Sequence, residues 1–211
     1  MKNQIKKVLQ LSLVLCLLVG GRVSFAGANE PAELLRQASE LLLDRKEYEA
    51  LVLYEKVLDL VPQQTEALSQ ASLLHARLGS RSGDETTRSH HYKIAEKYAQ
   101  TAMAYAPASL EANYALASAY SHLSQIVSVR QKLLLLQEVK QYLDVVLAMD
   151  PAHAGAWHLL GRWHFRAANY NLPEILMTSV MMRGLSKEAS NEGAIAAMRK
   201  AIELDADNIM Y

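Results

Sequence analysis

"EVKQYLDVVLAMDPAHAGAWHLLGRWHF" (residues 138–165) holds the end of one helix, a proline stop and the start of the next helix. Val139, Leu143 and Val146 recur four and three apart, as the buried face of a one-sided helix requires. Pro151 ends that helix, because proline disfavours helical backbone at the residue before it. Past the stop each residue turns by about 100°, so Trp157, Leu160, Gly161 and His164 share one face while His158, Arg162, Phe165 and Arg166 share another.

Working outward, the same ending occurs four times: "EALVLYEKVLDLVP" (49–62), "KIAEKYAQTAMAYAP" (93–107), "EVKQYLDVVLAMDP" (138–151) and "GAIAAMRKAIELDA" (193–206). Counting back twelve, eight and five residues from Pro62, Pro107, Pro151 and Ala206 gives Ala50/Tyr54/Val57, Ala95/Ala99/Ala102, Val139/Leu143/Val146 and Ala194/Met198/Ala201. Small and medium apolar residues at matching places mean that four helices pack through one face, which is the second-helix pattern of the tetratricopeptide repeat. The first helices fit as well: Leu34/Ala38/Leu41, Leu68/Ala71/His75, Leu116/Ala117/Tyr120 and Trp157/Leu160/Gly161/His164.

The expected fold is therefore all-α, a tetratricopeptide-like right-handed helical solenoid of about four helix pairs, with repeats over 32–63, 65–108, 110–152 and 154–207. The stops lie 45, 44 and 55 residues apart, against roughly 34 in the standard repeat, so the repeats are widened by insertions at 79–89, 121–136 and 167–190. "GSRSGDETTRS" (79–89) predicts a solvated loop. Residues 121–136 lack Gly and Pro and predict longer helices around a tight turn. Residues 167–190 break at Pro173, permit a short helix through Met182 and break again at Gly184.

"MKNQIKK" followed by "VLQLSLVLCLLVGG" has the charged-then-apolar layout of a secretory signal, with cleavage after Ala26 or Ala28 in "VSFAGA". This divides the chain into a signal peptide, 1–28, and a helical repeat domain, 29–211, that is exported to a periplasm and has no stable membrane insertion once the signal is removed. Cys16 does not read as a lipidation site, since Leu15 stands where a small residue is normal. The cut takes Lys2, Lys6, Lys7 and Arg22 and no acid, so 22 basic against 22 acidic residues become 18 against 22. A mildly acidic chain has no general attraction for nucleic acid. Loss of the single cysteine also removes disulfides and thiolate ligands.

The mature sequence contains no glycine-rich phosphate loop, serine elbow or HExxH, so neither enzyme nor cofactor is expected. A metal- or substrate-dependent enzyme using His153, His158 and His164 is the weakest alternative, because those histidines lack the i,i+4 spacing that makes ligands converge. His164 reads as a core residue with a hydrogen-bonded ring nitrogen, and Trp157 as the large ring filling the gap between paired helices. Trp163 reads as a cover for the apolar insertion, His90–His91 as a solvated helix start, and Glu40, Asp44 and Glu47 as exposed carboxylates.

First helices line the inner surface of such a stack, which makes their outward stripe the candidate contact surface. Arg77, Tyr114, His122, His158, Arg162, Phe165 and Arg166 are the candidate peptide-binding residues. Arginine beside aromatic surface suits a protein or acidic peptide segment, since guanidinium engages carboxylate bidentately. Equally open is that Arg162 and Arg166 pair with Glu111 or Glu174. "ELDADNIMY" supplies no polar capping helix, so the flank 194–202 is expected to support a homodimer through the C-terminal helix.

The repeat array, its widened pairs, "AWHLLGRWHF" and the "NYNLPEI…GLSKEAS" excursion together resemble the regulator of microtubule dynamics family over roughly residues 32–211, most specifically at Leu159–His164. The resemblance implies an all-helical repeat domain, tubulin association in eukaryotic members and no catalytic residues. Two functions follow as expectations: an exported noncatalytic scaffold binding protein segments in its groove, and a cytoskeletal regulator associating with tubulin.

Overall fold

The computed structural model describes residues 26–171, 174, 176 and 188–206. The chain divides into residues 1–33 and 34–211. Within the first unit the described residues belong to the opening turns of α1; the second holds the repeats. Among the described residues there are eight helices and no strand: α1 Ala26–Leu43, α2 Glu47–Leu60, α3 Thr65–Arg81, α4 Glu85–Tyr105, α5 Leu110–Leu123, α6 Val129–Met149, α7 Ala154–Ala168 and α8 Asn191–Leu204. Consecutive helices pack together, and α5 also touches both α3 and α7, which is how first helices of neighbouring repeats meet.

Four second helices end alike. At Val61, Ala106, Asp150 and Asp205 the backbone leaves the helix at φ between −136° and −150°, and each N–H still donates to the carbonyl four residues back. Proline follows the first three, while Ala206 follows the fourth. The stop is thus a property of the repeat, and proline reinforces it by excluding helical backbone before it. Most helices then restart on a side-chain cap: Asp84 accepts from Thr87 N at 2.7 Å, Ser109 from Ala112 N at 3.3 Å and His153 Nδ1 from Ala156 N at 3.0 Å. Each such cap is worth about 1 kcal/mol.

The internal seam falls where the recurrence places it. Ala50, Tyr54, Val57, Ala95, Ala99, Ala102, Val139, Leu143, Val146, Ala194 and Ala201 are all buried, with Met198 partly so. Gly161 marks the closest approach: a Cβ there would stand 2.9 Å from Met198 Cγ and 3.2 Å from the Ala194 carbonyl. Any side chain there would press on Met198 and on the Ala194 carbonyl of α8.

Several local expectations are corrected. Residues 79–89 are largely helical, because α3 runs to Arg81 and α4 starts at Glu85, capped by Asp84. Within 121–136 the added length goes to α6, of 21 residues, while α5 keeps 14. The expected helix through Met182 lies outside the described residues, save that Glu174 and Leu176 are helical.

Both tryptophans depart from their expected places. Trp163 is 2% exposed and donates from Nε1 to the Leu136 carbonyl at 2.8 Å, tying α7 to α6. Trp157 is only half-buried and donates to Pro151 O at 2.8 Å. A one-residue-per-100° projection places both on plausible faces, and the crossing of α6 over α7 decides between them. His164 is likewise not the expected bonded core residue, since its buried Nδ1 has no hydrogen-bond partner among the described residues.

Trp163→Ala is expected to cost about 3–5 kcal/mol, by cavity formation and loss of the indole bond to the Leu136 carbonyl. Trp157→Ala should cost less than about 2 kcal/mol. Equilibrium urea unfolding of both variants checks the order.

Candidate functional site

The first-helix faces of α3, α5 and α7 bring a group of cations together. Arg162 interacts electrostatically with Tyr92, Tyr114, His122 and His158, and Arg166 with Arg162, Tyr92 and His122. Arg77 reaches the same cluster through Tyr114. Six of the seven candidates from the sequence therefore converge. Phe165 is apart: it is 59% exposed and lines a separate cavity with Arg166.

Each position has a local cause. His122 is 7% exposed, and its Nδ1 donates to the Ser118 carbonyl at 2.8 Å, which fixes the tautomer and leaves Nε2 as an acceptor. Tyr114 packs on His153 with ring centroids 4.4 Å apart, over Gly155, where a side chain would collide with the phenol. Arg166 Nη1 donates to Ser121 O at 2.8 Å and Ser124 Oγ at 3.1 Å. Arg77 Nη1 donates to Glu47 at 2.9 Å, and Glu47 also accepts from Arg81 at 2.5 Å. Burial alone would raise the Glu47 carboxyl, but those two guanidinium bonds hold it below the ordinary range. Glu47 is thus a clamp on Arg77, not the freely solvated carboxylate its helix position suggested.

The bland alternative for the arginines fails on geometry. Glu174 is taken by Lys132 at 2.8 Å and by Asn171 N at 2.8 Å, and Glu111 accepts from Ser109 Oγ at 2.7 Å. Among the described residues no carboxylate forms an ion pair with Arg162 or Arg166. Burial accordingly lowers both guanidinium groups, Arg166 to about 10, with the neighbouring Arg162 charge adding to it.

Sequence reasoning missed Tyr92, which belongs to a second helix yet is 1% exposed and meets His122 at a tilt, with ring centroids 5.3 Å apart. Its signal was its place in the widened start of α4. Neighbouring positions on the first helices are closed off: Ser69, Leu73 and Ser118 are buried. His91 is not a solvated helix start either, since its Nδ1 meets His75 Nδ1 at 2.9 Å while His75 Nε2 meets Glu55 at 3.2 Å. Among the described residues no cluster of three His, Cys, Asp or Glu could hold a metal ion. Nor, among them, is any helix long and apolar enough to cross a membrane.

Burial, and next the Arg162 charge, lower His122 and His158 to about 4. In the unfolded chain they titrate near about 6.5, so the unfolded state takes up protons first on acidification. Stability from keeping these rings neutral is complete above about pH 6.5 and is lost as pH falls toward 4. For His122 the loss is on the order of 3 kcal/mol. Urea unfolding from about pH 8 to about pH 4 should show a shallower acid decline for His122→Asn than for the parent.

The chain matches solved tetratricopeptide-type structures. A thermophilic TPR protein of Thermus thermophilus is 20% identical, with 85% of this chain and 94% of that chain covered and a TM-score of 0.53. MamA from Desulfovibrio magneticus RS-1 is 19% identical, covering 86% of this chain and 78% of that chain at a TM-score of 0.48. No curated protein matches by sequence. The likeness to the Thermus protein is one of fold, and it agrees with the helix pairs described above. By its sequence over residues 34–211, this chain belongs to the family described as Regulator of microtubule dynamics protein 1-3.

Proposed function

We propose that this protein is an exported, noncatalytic scaffold whose inner helix face binds an acidic protein or peptide segment. One observation carries the reading: Arg162 and Arg166 are mostly buried, lie with two histidines and two tyrosines, and have no carboxylate partner among the described residues. Buried charge without a counterion is costly, and a ligand carboxylate would relieve that cost through charge-assisted, bidentate bonds. Tyr114 and Tyr92 add phenol groups whose ionisation is suppressed by burial, leaving them neutral hydrogen-bonding walls.

Export rests on the leader-like residues 1–28, which lie outside the described residues apart from the start of α1. The family favours a second reading, association with tubulin. A polyglutamate decapeptide and assembled microtubules serve as the two ligands that separate the readings. Arg162→Ala should weaken peptide binding by about 1–3 kcal/mol in a calorimetric titration. Peptide affinity unchanged by this variant would remove the groove reading, whereas pelleting with microtubules alone would favour the second.

The dimer belongs here too. Ile195 and Ile202, two turns apart on α8, are 53% and 48% exposed, and such an apolar stripe is suited to a second copy. Sedimentation velocity should show mass rising with concentration, and Ile195→Asp should abolish the rise.

A further inference from the structure

Arg166 has two sides. One faces the cation cluster; the other is a wall of a cavity of about 330 Å³. Leu136, 1% exposed, lies at this cavity, with Gln125 from the turn after α5, Asn169 and Tyr170 after α7, and Phe165 in water beside them. Ligand pockets run from roughly 300 to 1,000 Å³, so this one suits a single side chain and is too small for a nucleotide-sized cofactor.

Its charge is already balanced. Lys132 and Glu174 pair across one wall at 2.8 Å, and Glu174, 5% exposed, also accepts from the Asn171 N–H. Among the described residues, a further formal charge there would find no free counterion except Arg166. The Arg166 guanidinium is itself pinned by Ser121 O and Ser124 Oγ, which holds its plane still. A pinned guanidinium is a stacking surface for an aromatic ring, and an exposed Phe165 supplies a second one. The amides of Gln125 and Asn169 give a polar tip something to bond.

We propose that this cavity is a side-chain subsite that receives a neutral aromatic residue of the bound segment, next to the acidic residue held by Arg162 and Arg166. The proposal rests on the acidic-segment reading above and deepens it: the preferred ligand is an acidic–aromatic pair, with Arg166 shared between the two subsites. Phe165, which stood apart from the cation cluster, acquires its role here.

Fluorescence anisotropy with three labelled decapeptides of alanine and glycine tests it: one carrying a Glu pair, one carrying the pair followed by Tyr, and one with Lys in place of that Tyr. Tyr should tighten binding at least tenfold over the Glu-only peptide, and Lys should not. Gln125→Trp, at an exposed turn position, fills the cavity mouth and should erase the Tyr gain while leaving Glu-only affinity within twofold. Phe165→Ala should reduce the gain about threefold or more. Equal binding of all three peptides, or a Tyr gain that survives Gln125→Trp, overturns the subsite but not the acidic groove. Failure of every peptide to bind overturns both.

Discussion

Close approach of paired helices through a seam of small side chains is the constraint on which everything else depends. Ala95, Ala99 and Ala102 on α4 and Ala194 and Ala201 on α8 bring backbones near enough for side chains of the opposite helix to reach across. Gly161 takes this to its limit against Met198 and the Ala194 carbonyl. Because alanines carry little apolar surface, the energy of burial comes from the few large residues that the tight seam admits: Tyr54, Tyr92, Trp163, Leu74, Leu136 and Leu143. Short restarts after each proline stop then keep the first helices side by side.

That parallel arrangement is also what concentrates charge. Residues that sit one per turn along separate first helices come to face one another when α3, α5 and α7 stack. Arg162 and Arg166 come from α7, Tyr114 and His122 from α5, and Arg77 from α3, so no local sequence window contains the site. Burying Arg162 and Arg166 with neutral histidines and phenols opposes stability, which is the usual mark of a surface shaped for a ligand. The scaffold tolerates it because the same helices also bury apolar residues such as Leu74, Leu116, Leu159 and Trp163.

Much of the fold was legible from recurrence, since a repeating stop and a repeating apolar triplet each report a helix face directly. The same logic placed six of seven candidate residues on one surface. Its misses have physical reasons. Polar composition at 79–89 suggested a loop, but Asp84 caps a helix that begins directly after a short break. Glu47 read as solvated because helix phase cannot see Arg77 and Arg81, which lie far along the sequence. Trp157 and Trp163 could each have filled the seam, and only the position of the Leu136 carbonyl selected Trp163.

The amino-acid order on its own determined the helical class, the four stops, the seam residues and the family, because these depend on spacing along a single chain. Tertiary packing alone decided which arginines have no carboxylate partner among the described residues, which tyrosine joins them from α4, and where a cavity opens beside Arg166. Those properties belong to distances between helices, and a one-dimensional period carries no information about what stands across a gap.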